Sequence, residues 1–214
     1  MTDEARPGFT AEPRASLSLL DYRRRVADLY AAVRSAAPEH GWHLWREGRD
    51  ELFRSHPQSP IPVGRRAVFT GLPHYPYDPA LRFVAAIEPV PSGGVALPHS
   101  GDGTTSGQAV GVATVTIGGA LSEFTVFRLD QYGDALFLPF RDATAGSETY
   151  GGGRYLLDTA KGADLGGTET TLVLDFNFSY HPSCVHDPQW SCPLAPPENR
   201  LAVAVRGGER LEPR

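Results

Sequence analysis

Two periodicities divide the chain. Leu19, Tyr22, Val26, Leu29, Tyr30, Val33 and Ala37 recur at spacings of three and four, which puts them on one stripe of an amphipathic helix that must stop before Pro38. Ser18, with Asp21 three positions later, reads as a capping-box start. A second helix is expected over 39–55, turning Trp42, Trp45, Leu52 and Phe53 towards a core and ending at His56-Pro57. From there the period changes. Short runs rich in Val, Phe, Leu and Thr, bounded by Gly, Pro or Asp, occupy 67–70, 81–87, 94–97, 108–117, 121–129, 135–140, 154–157, 171–178 and 200–205. Gly118-Gly119 joins two of the longest as a two-residue hairpin signal.

No helix-length segment separates any two of these runs, so parallel crossovers are not expected and the strands pair antiparallel. The pattern predicts a mainly β fold, an antiparallel β-barrel or sandwich of about eight to nine strands, with an N-terminal two-helix extension. Residues 1–15, acidic and containing proline, read as a disordered tail. One β-rich domain is expected over 16–210, its helices over 16–56.

Composition sharpens this picture. Gly 23 and Pro 19 make 42 of 214 residues, about a fifth where about 12% is usual, which favours turns and short strands over long helices. The net charge of -5 and the lack of any basic run longer than Arg23-Arg24-Arg25 speak against a nucleic-acid partner. No stretch approaches the length of a membrane span, and the start carries no basic segment leading into an apolar one, so no membrane association and a cytoplasmic location are expected. In that compartment two cysteines are thiols or ligands rather than a disulfide.

Candidate chemistry concentrates in two segments. In 140–155, Asp142 and Glu148 stand with Tyr150, Arg154 and Tyr155 around Gly151-Gly152-Gly153. The triple glycine lacks the Gly-Lys-Ser or Gly-Lys-Thr ending of a phosphate loop, and a plain turn into a strand is the simpler reading. In 174–208, Asp175 and Asn177 lie two apart in an apolar run, hence on one face of an extended strand. His181, Cys184, His186 and Cys192 follow, a mixed imidazole and thiolate set of the kind that suits Zn²⁺, but Cys184 and His186 are one residue apart and prolines stiffen the loop. No metal and no other cofactor is therefore expected.

Four blocks, 45–62, 69–83, 137–156 and 174–210, occur in the order in which they are found in the domain of unknown function 1684 family, and the chain resembles that family over about residues 20–210. The resemblance implies a shared fold unit and shared residues but no reaction: Asp142, Thr144, Gly146, Glu148, Thr149, Tyr150, Gly153, Arg154 and Tyr155 in one block, and Asp175, Asn177, Tyr180, Pro182, Cys184, Cys192, Pro193 and Glu198-Asn199 in the other. His181 stands where the family implies asparagine, and at His186 the family implies no histidine.

These residues predict a small-molecule partner, a polar or anionic ligand held in a pocket formed by 140–155 and 175–199. Arg82, Tyr150, Arg154, Tyr155, Asn177, Tyr180 and Asn199 are the candidate binding groups, and Asp142, Glu148 and Asp175 the candidate acid-base groups. Two alternatives share the same residues: a non-catalytic structural or interaction module, in which the polar groups tie loops to the sheet, and a Cys/His metal-dependent hydrolase. Arg154 is expected within reach of Asp142, Glu148 or Asp175.

Overall fold

The Gly118-Gly119 turn sets the longest pairing in the molecule. Both glycines have positive φ, +57° and +84°, the condition for a two-residue turn whose twist matches that of its strands. They join β3 (Thr104–Ile117) to β4 (Ala120–Leu129), which pair antiparallel from Ile117↔Ala120 to Gly107↔Leu129. Around this hairpin the computed structural model, which describes residues 13–91, 93–130 and 133–212, builds β1 (Arg82–Pro89), β2 (Gly94–Pro98), β5 (Leu136–Phe140), β6 (Arg154–Asp158) and β7 (Thr171–Asp175). The seven strands form one antiparallel sheet in the order β6-β5-β4-β3-β1-β7, with β2 on β3, curled into a half-barrel. Register shifts at Ala109/Gly111 and Leu138/Pro139 help it curl. Tyr155 in β6 exchanges both backbone hydrogen bonds with Tyr180, so the chain leaving β7 returns to the far edge of the sheet.

The antiparallel, mainly β class and the helical extension are as the sequence predicts. Two of the nine expected strands are absent among the described residues. Residues 67–70 follow a four-residue helix, α3 (Val63–Arg66), and are tied back to it by backbone hydrogen bonds from Val68 and Phe69. Residues 200–205 make no ladder: Arg200 bridges Arg141, and the backbone N–H of Val205 goes to the Asp142 carboxylate instead of to a strand.

α1 (Pro13–Arg34) and α2 (Pro38–Ser55) form the extension. Residues 1–12 of the expected tail lie outside the described residues, and 13–15 are already helical. α1 thus begins ahead of Ser18, because 13–20 is built of helix-tolerant residues with a proline at the first helical position. The helices cover one face of the sheet. In β4, Phe124 and Val126 join the core on one side, while Phe127 and Leu129 pack on the other with Tyr30, Trp42 and Trp45; a strand alternates its faces, and here both are buried. Trp45 is fully buried, its ring 5.2 Å from that of Phe178 and its indole N–H donating to Tyr30 Oη at 3.0 Å.

Candidate functional site

The two chemically rich segments meet, and most of their polar groups are consumed in meeting. Arg154 is fully buried; its guanidinium donates to Asp142 Oδ1 at 3.2 Å and to the carbonyls of Val205 at 2.7 Å and Glu209 at 3.1 Å, with its Cζ 5.2 Å from the centroid of the Phe140 ring. Asp142 Oδ2 accepts from Thr144 Oγ1 at 2.8 Å and from the Val205 amide at 2.7 Å. The pairing expected of Arg154 is present, and it fastens the C-terminal segment to β6. Gly153, at φ +98°, is required by packing, since a Cβ there would collide with the Phe140 carbonyl. Asn199 is used in the same way: its Oδ1 accepts from the Thr125 amide at 2.7 Å, and its Nδ2 donates to the carbonyls of Thr125 and Pro139. A fully buried amide that replaces strand partners on three backbone groups holds loops together and presents no atom to a ligand.

Asp175 and Asn177 face each other, but not as two positions of one strand. β7 ends at Asp175, whose Oδ1 accepts from the Asn177 amide at 3.1 Å and from its Nδ2 at 2.8 Å, so the carboxylate caps a single 3₁₀ turn, Phe176–Phe178. This local competition between side chain and ladder is the reason the extended reading fails here. Asn177 also clamps both backbone groups of Asp78. Asp175 Oδ2 has no hydrogen-bond partner; Arg82, its cross-strand neighbour, reaches within 3.7 Å, and burial pushes the carboxyl up to about 6 against the pull of Asn177 and Arg82. Glu148 sits at the surface, gripped by Arg206 at 2.7 and 3.0 Å, which holds it below the usual carboxylate range.

A second set of residues, separated widely along the chain, forms the divide between two cavities. Arg49 of α2 lies among the rings of Trp45, Phe53 and Tyr180, within 4.7–5.4 Å of each centroid, and donates from Nε and Nη2 to Glu209 Oε1 at 2.8 and 2.6 Å. Glu209 Oε2 accepts from the His181 amide at 2.7 Å. Burial alone would raise this carboxyl; Arg49, His181 and His74 outweigh it and hold Glu209 near about 2. His181 receives the Tyr150 amide on Nε2 at 3.2 Å, which leaves its proton on Nδ1, and burial lowers it to about 4.

On one side of this divide is a cavity of about 380 Å³ that Glu209, His181 and His186 share with Phe69 and Leu211. On the other is a cleft of about 340 Å³ between α1, α2, the start of β6 and the 180–193 loop. Tyr22, Phe53, Tyr155, Tyr180 and Trp190 supply its flat walls; Arg23, Arg49 and Lys161 supply its charge, and no carboxylate lines it among the described residues. Tyr155 Oη donates to the Pro193 carbonyl, and Lys161 holds Asp158 at 2.7 Å. Of the predicted binding residues, Tyr155 and Tyr180 therefore reach a cavity of ligand size, whereas Arg154, Asn177 and Asn199 are spent on backbone. Arg82 and Tyr150 lie elsewhere, Arg82 on Asp175 and Tyr150 on Cys184, 3.9 Å from its sulfur.

His181, Cys184, His186 and Cys192 do not converge on one centre: the free nitrogen of His181 is taken by Tyr150, and no three His, Cys, Asp or Glu side chains among the described residues could share an ion. Arg49, Glu209 and His74 escaped the sequence reading, because nothing local distinguishes a helical arginine that will be buried by a glutamate 160 positions away. The Gly-Gly-Glu at 207–209 was the one available signal, a charge placed directly after two glycines.

The profile of the family described as "Protein of unknown function (DUF1684)" matches residues 67–210. The chain belongs to this family. The match takes in the sheet, the sealed network and the 180–193 loop of the DUF1684 chain, and begins after the two helices. The solution NMR structure of an uncharacterized protein from gene locus rrnAC0354 of Haloarcula marismortui is similar to it, with 36% sequence identity and a TM-score of 0.57, over 78% of this chain and 90% of that one. Among curated proteins, none matches. No helix of the described residues is long and apolar enough to cross a membrane.

Proposed function

We propose that this DUF1684 protein binds a small anion carrying a flat apolar body, an aromatic phosphate or carboxylate, in the cleft between the helices and the 180–193 loop. The observation that carries the reading is the lining of that 340 Å³ space: five aromatic side chains and three cations, with no carboxylate. A cleft of this size encloses a small ligand, and apolar walls with a few charged groups are the usual make-up of such sites. Arg49 is the fixed anchor. Glu209 and three rings hold its guanidinium in place, so its ordering is complete before a ligand arrives. Binding without carboxylate catalysis is favoured because Asp142 is saturated, Glu148 is clamped by Arg206, and Asp175, one oxygen on Asn177 and the other facing Arg82, is buried away from this cleft.

Calorimetric titration with phenyl phosphate tests this, with phenol and inorganic phosphate as its separated halves. The whole compound is expected to bind more tightly than either half, and Arg23→Glu and Trp190→Ala, both at exposed positions, should each weaken it by about tenfold, one lost charge contact or ring contact costing roughly 1–1.5 kcal/mol. No heat with phenyl phosphate, or binding indifferent to both substitutions, would sink the reading.

A further inference from the structure

The two cysteines are brought side by side from opposite ends of the 184–192 loop, and nothing in the cleft reading uses them. Cys184 lies in the 3₁₀ turn Ser183–Val185. Cys192 is pinned to the chain after β2: its amide donates to Ser100 Oγ at 3.1 Å, and its carbonyl accepts from the Ser100 amide at 2.9 Å. The same Ser100 hydroxyl reaches Cys184, and the backbone N–H of Cys184 serves both sulfurs. Both thiols are free and half-buried, so small solutes can reach them, and Cys192 forms part of the cleft wall.

We propose that Cys184 and Cys192 are a hydroperoxide-reactive thiol pair, Cys184 the attacking sulfur and Cys192 the resolving one. In the first step the Cys184 thiolate attacks the terminal oxygen of a hydroperoxide; an S–O bond forms, the O–O bond breaks, and the departing alkoxide or hydroxide takes the proton of Cys192. In the second, the Cys192 sulfur attacks the Cys184 sulfenic acid; the S–S bond forms, the S–O bond breaks, and hydroxide leaves to be protonated by solvent. Two thiols are oxidised by two electrons and the peroxide is reduced to an alcohol or water, and water.

The division of roles follows from the surroundings. Cys192, Ser100 and Tyr150, the last with its hydroxyl 3.9 Å from the sulfur, stand around Cys184 and together lower its thiol to about 6 against burial, while Cys192 is raised by the same pairing and by burial. A thiolate stabilised by neighbouring donors, and reachable by solute, is the reactive form of cysteine. The two side chains already interact directly, and disulfide closure asks for Cα atoms about 4.4–6.8 Å apart.

Titration of the reduced full chain with hydrogen peroxide, followed by intact mass and thiol counting, tests the pair. One equivalent should remove both thiols with a mass loss of two hydrogens in a single chain, reversed by dithiothreitol, at a rate at least about tenfold above that of the urea-unfolded chain. Cys192→Ser should stop at a sulfenic acid that dimedone traps on residue 184, and Cys184→Ser should react no faster than the unfolded chain. A disulfide between two chains, or wild-type thiols no faster than in urea, overturns the proposal; the urea comparison uses wild type alone and stands even if a variant fails to fold.

Discussion

Two polar regions lie within one fold, and they treat their charges in opposite ways. Around Arg154 every strong acceptor or donor of Asp142 and Asn199 ends on backbone or on another member of the network, and solvent is shut out. Around Arg49 the guanidinium is just as firmly held, by Glu209, yet one side of it opens on a cleft walled with tyrosines. A buried ion pair contributes little by itself, because desolvation offsets the attraction, but breaking one is costly. The first region is therefore explained by what it joins, β5 and β6 to the C-terminal segment. The second has a cavity beside it, open on the side of the guanidinium away from Glu209.

Removing one partner from the sealed region should have the largest effect. Asp142→Ala leaves Arg154 charged and unpaired in the core, and urea unfolding should show a loss of about 3–5 kcal/mol. Asn199→Ala abandons the Thr125 amide and two carbonyls together, for an expected loss of roughly 2–4 kcal/mol. If either substitution left stability unchanged, the network would not be what joins these segments.

The pH dependence sharpens the contrast. Burial holds His181 and His74 near about 4, below the ordinary 6.5, so the unfolded chain takes up their protons first. Their contribution is complete above pH 6.5 and is lost as pH falls towards 4, by up to roughly 3 kcal/mol per histidine. Glu209, near about 2 where 4.5 is ordinary, extends the loss below pH 4.5. Asp175 acts the other way: raised to about 6 from 3.8, it takes up its proton in the folded state first and adds stability as pH falls through that window. Denaturant midpoints measured from pH 7.5 to 4 should therefore fall for the wild type, fall less for His181→Gln and fall more steeply for Asp175→Asn.

The smallest stability effects belong to the cleft. Arg23→Glu and Trp190→Ala should shift unfolding by under about 0.5 kcal/mol, as exposed positions do, while weakening phenyl phosphate. A region whose substitutions change binding and not stability is the converse of the Arg154 network, in which Asp142→Ala changes stability first.

What the sequence made legible follows how local each signal was. The hairpin at Gly118-Gly119 and the stripe leading to Tyr30 and Val33 are set by neighbours within a few positions, and both form as expected. Asp142 with Arg154 was legible because the partners stand 12 positions apart in one segment. Asp175 misled for a local reason as well: its carboxylate reaches the amide two residues on and ends the strand. The cleft was half legible. Tyr155 and Tyr180 come from the two segments that looked functional, but the facing wall is α1 and α2, and no spacing along the chain indicates that Tyr22 and Arg49 will stand opposite Trp190.

The ligand proposed for this protein would sit in the cleft beside Arg49 and not at the carboxylate network beside Arg154. Two-dimensional NMR of the full chain, titrated with phenyl phosphate, tests this placement most directly. Saturable shifts of the Trp190 indole N–H and of the 181–193 amides are expected, with the amides of Thr144 and Val205 unmoved. Shifts centred on Thr144 and Val205 with the 181–193 loop silent, or none at all, would contradict it.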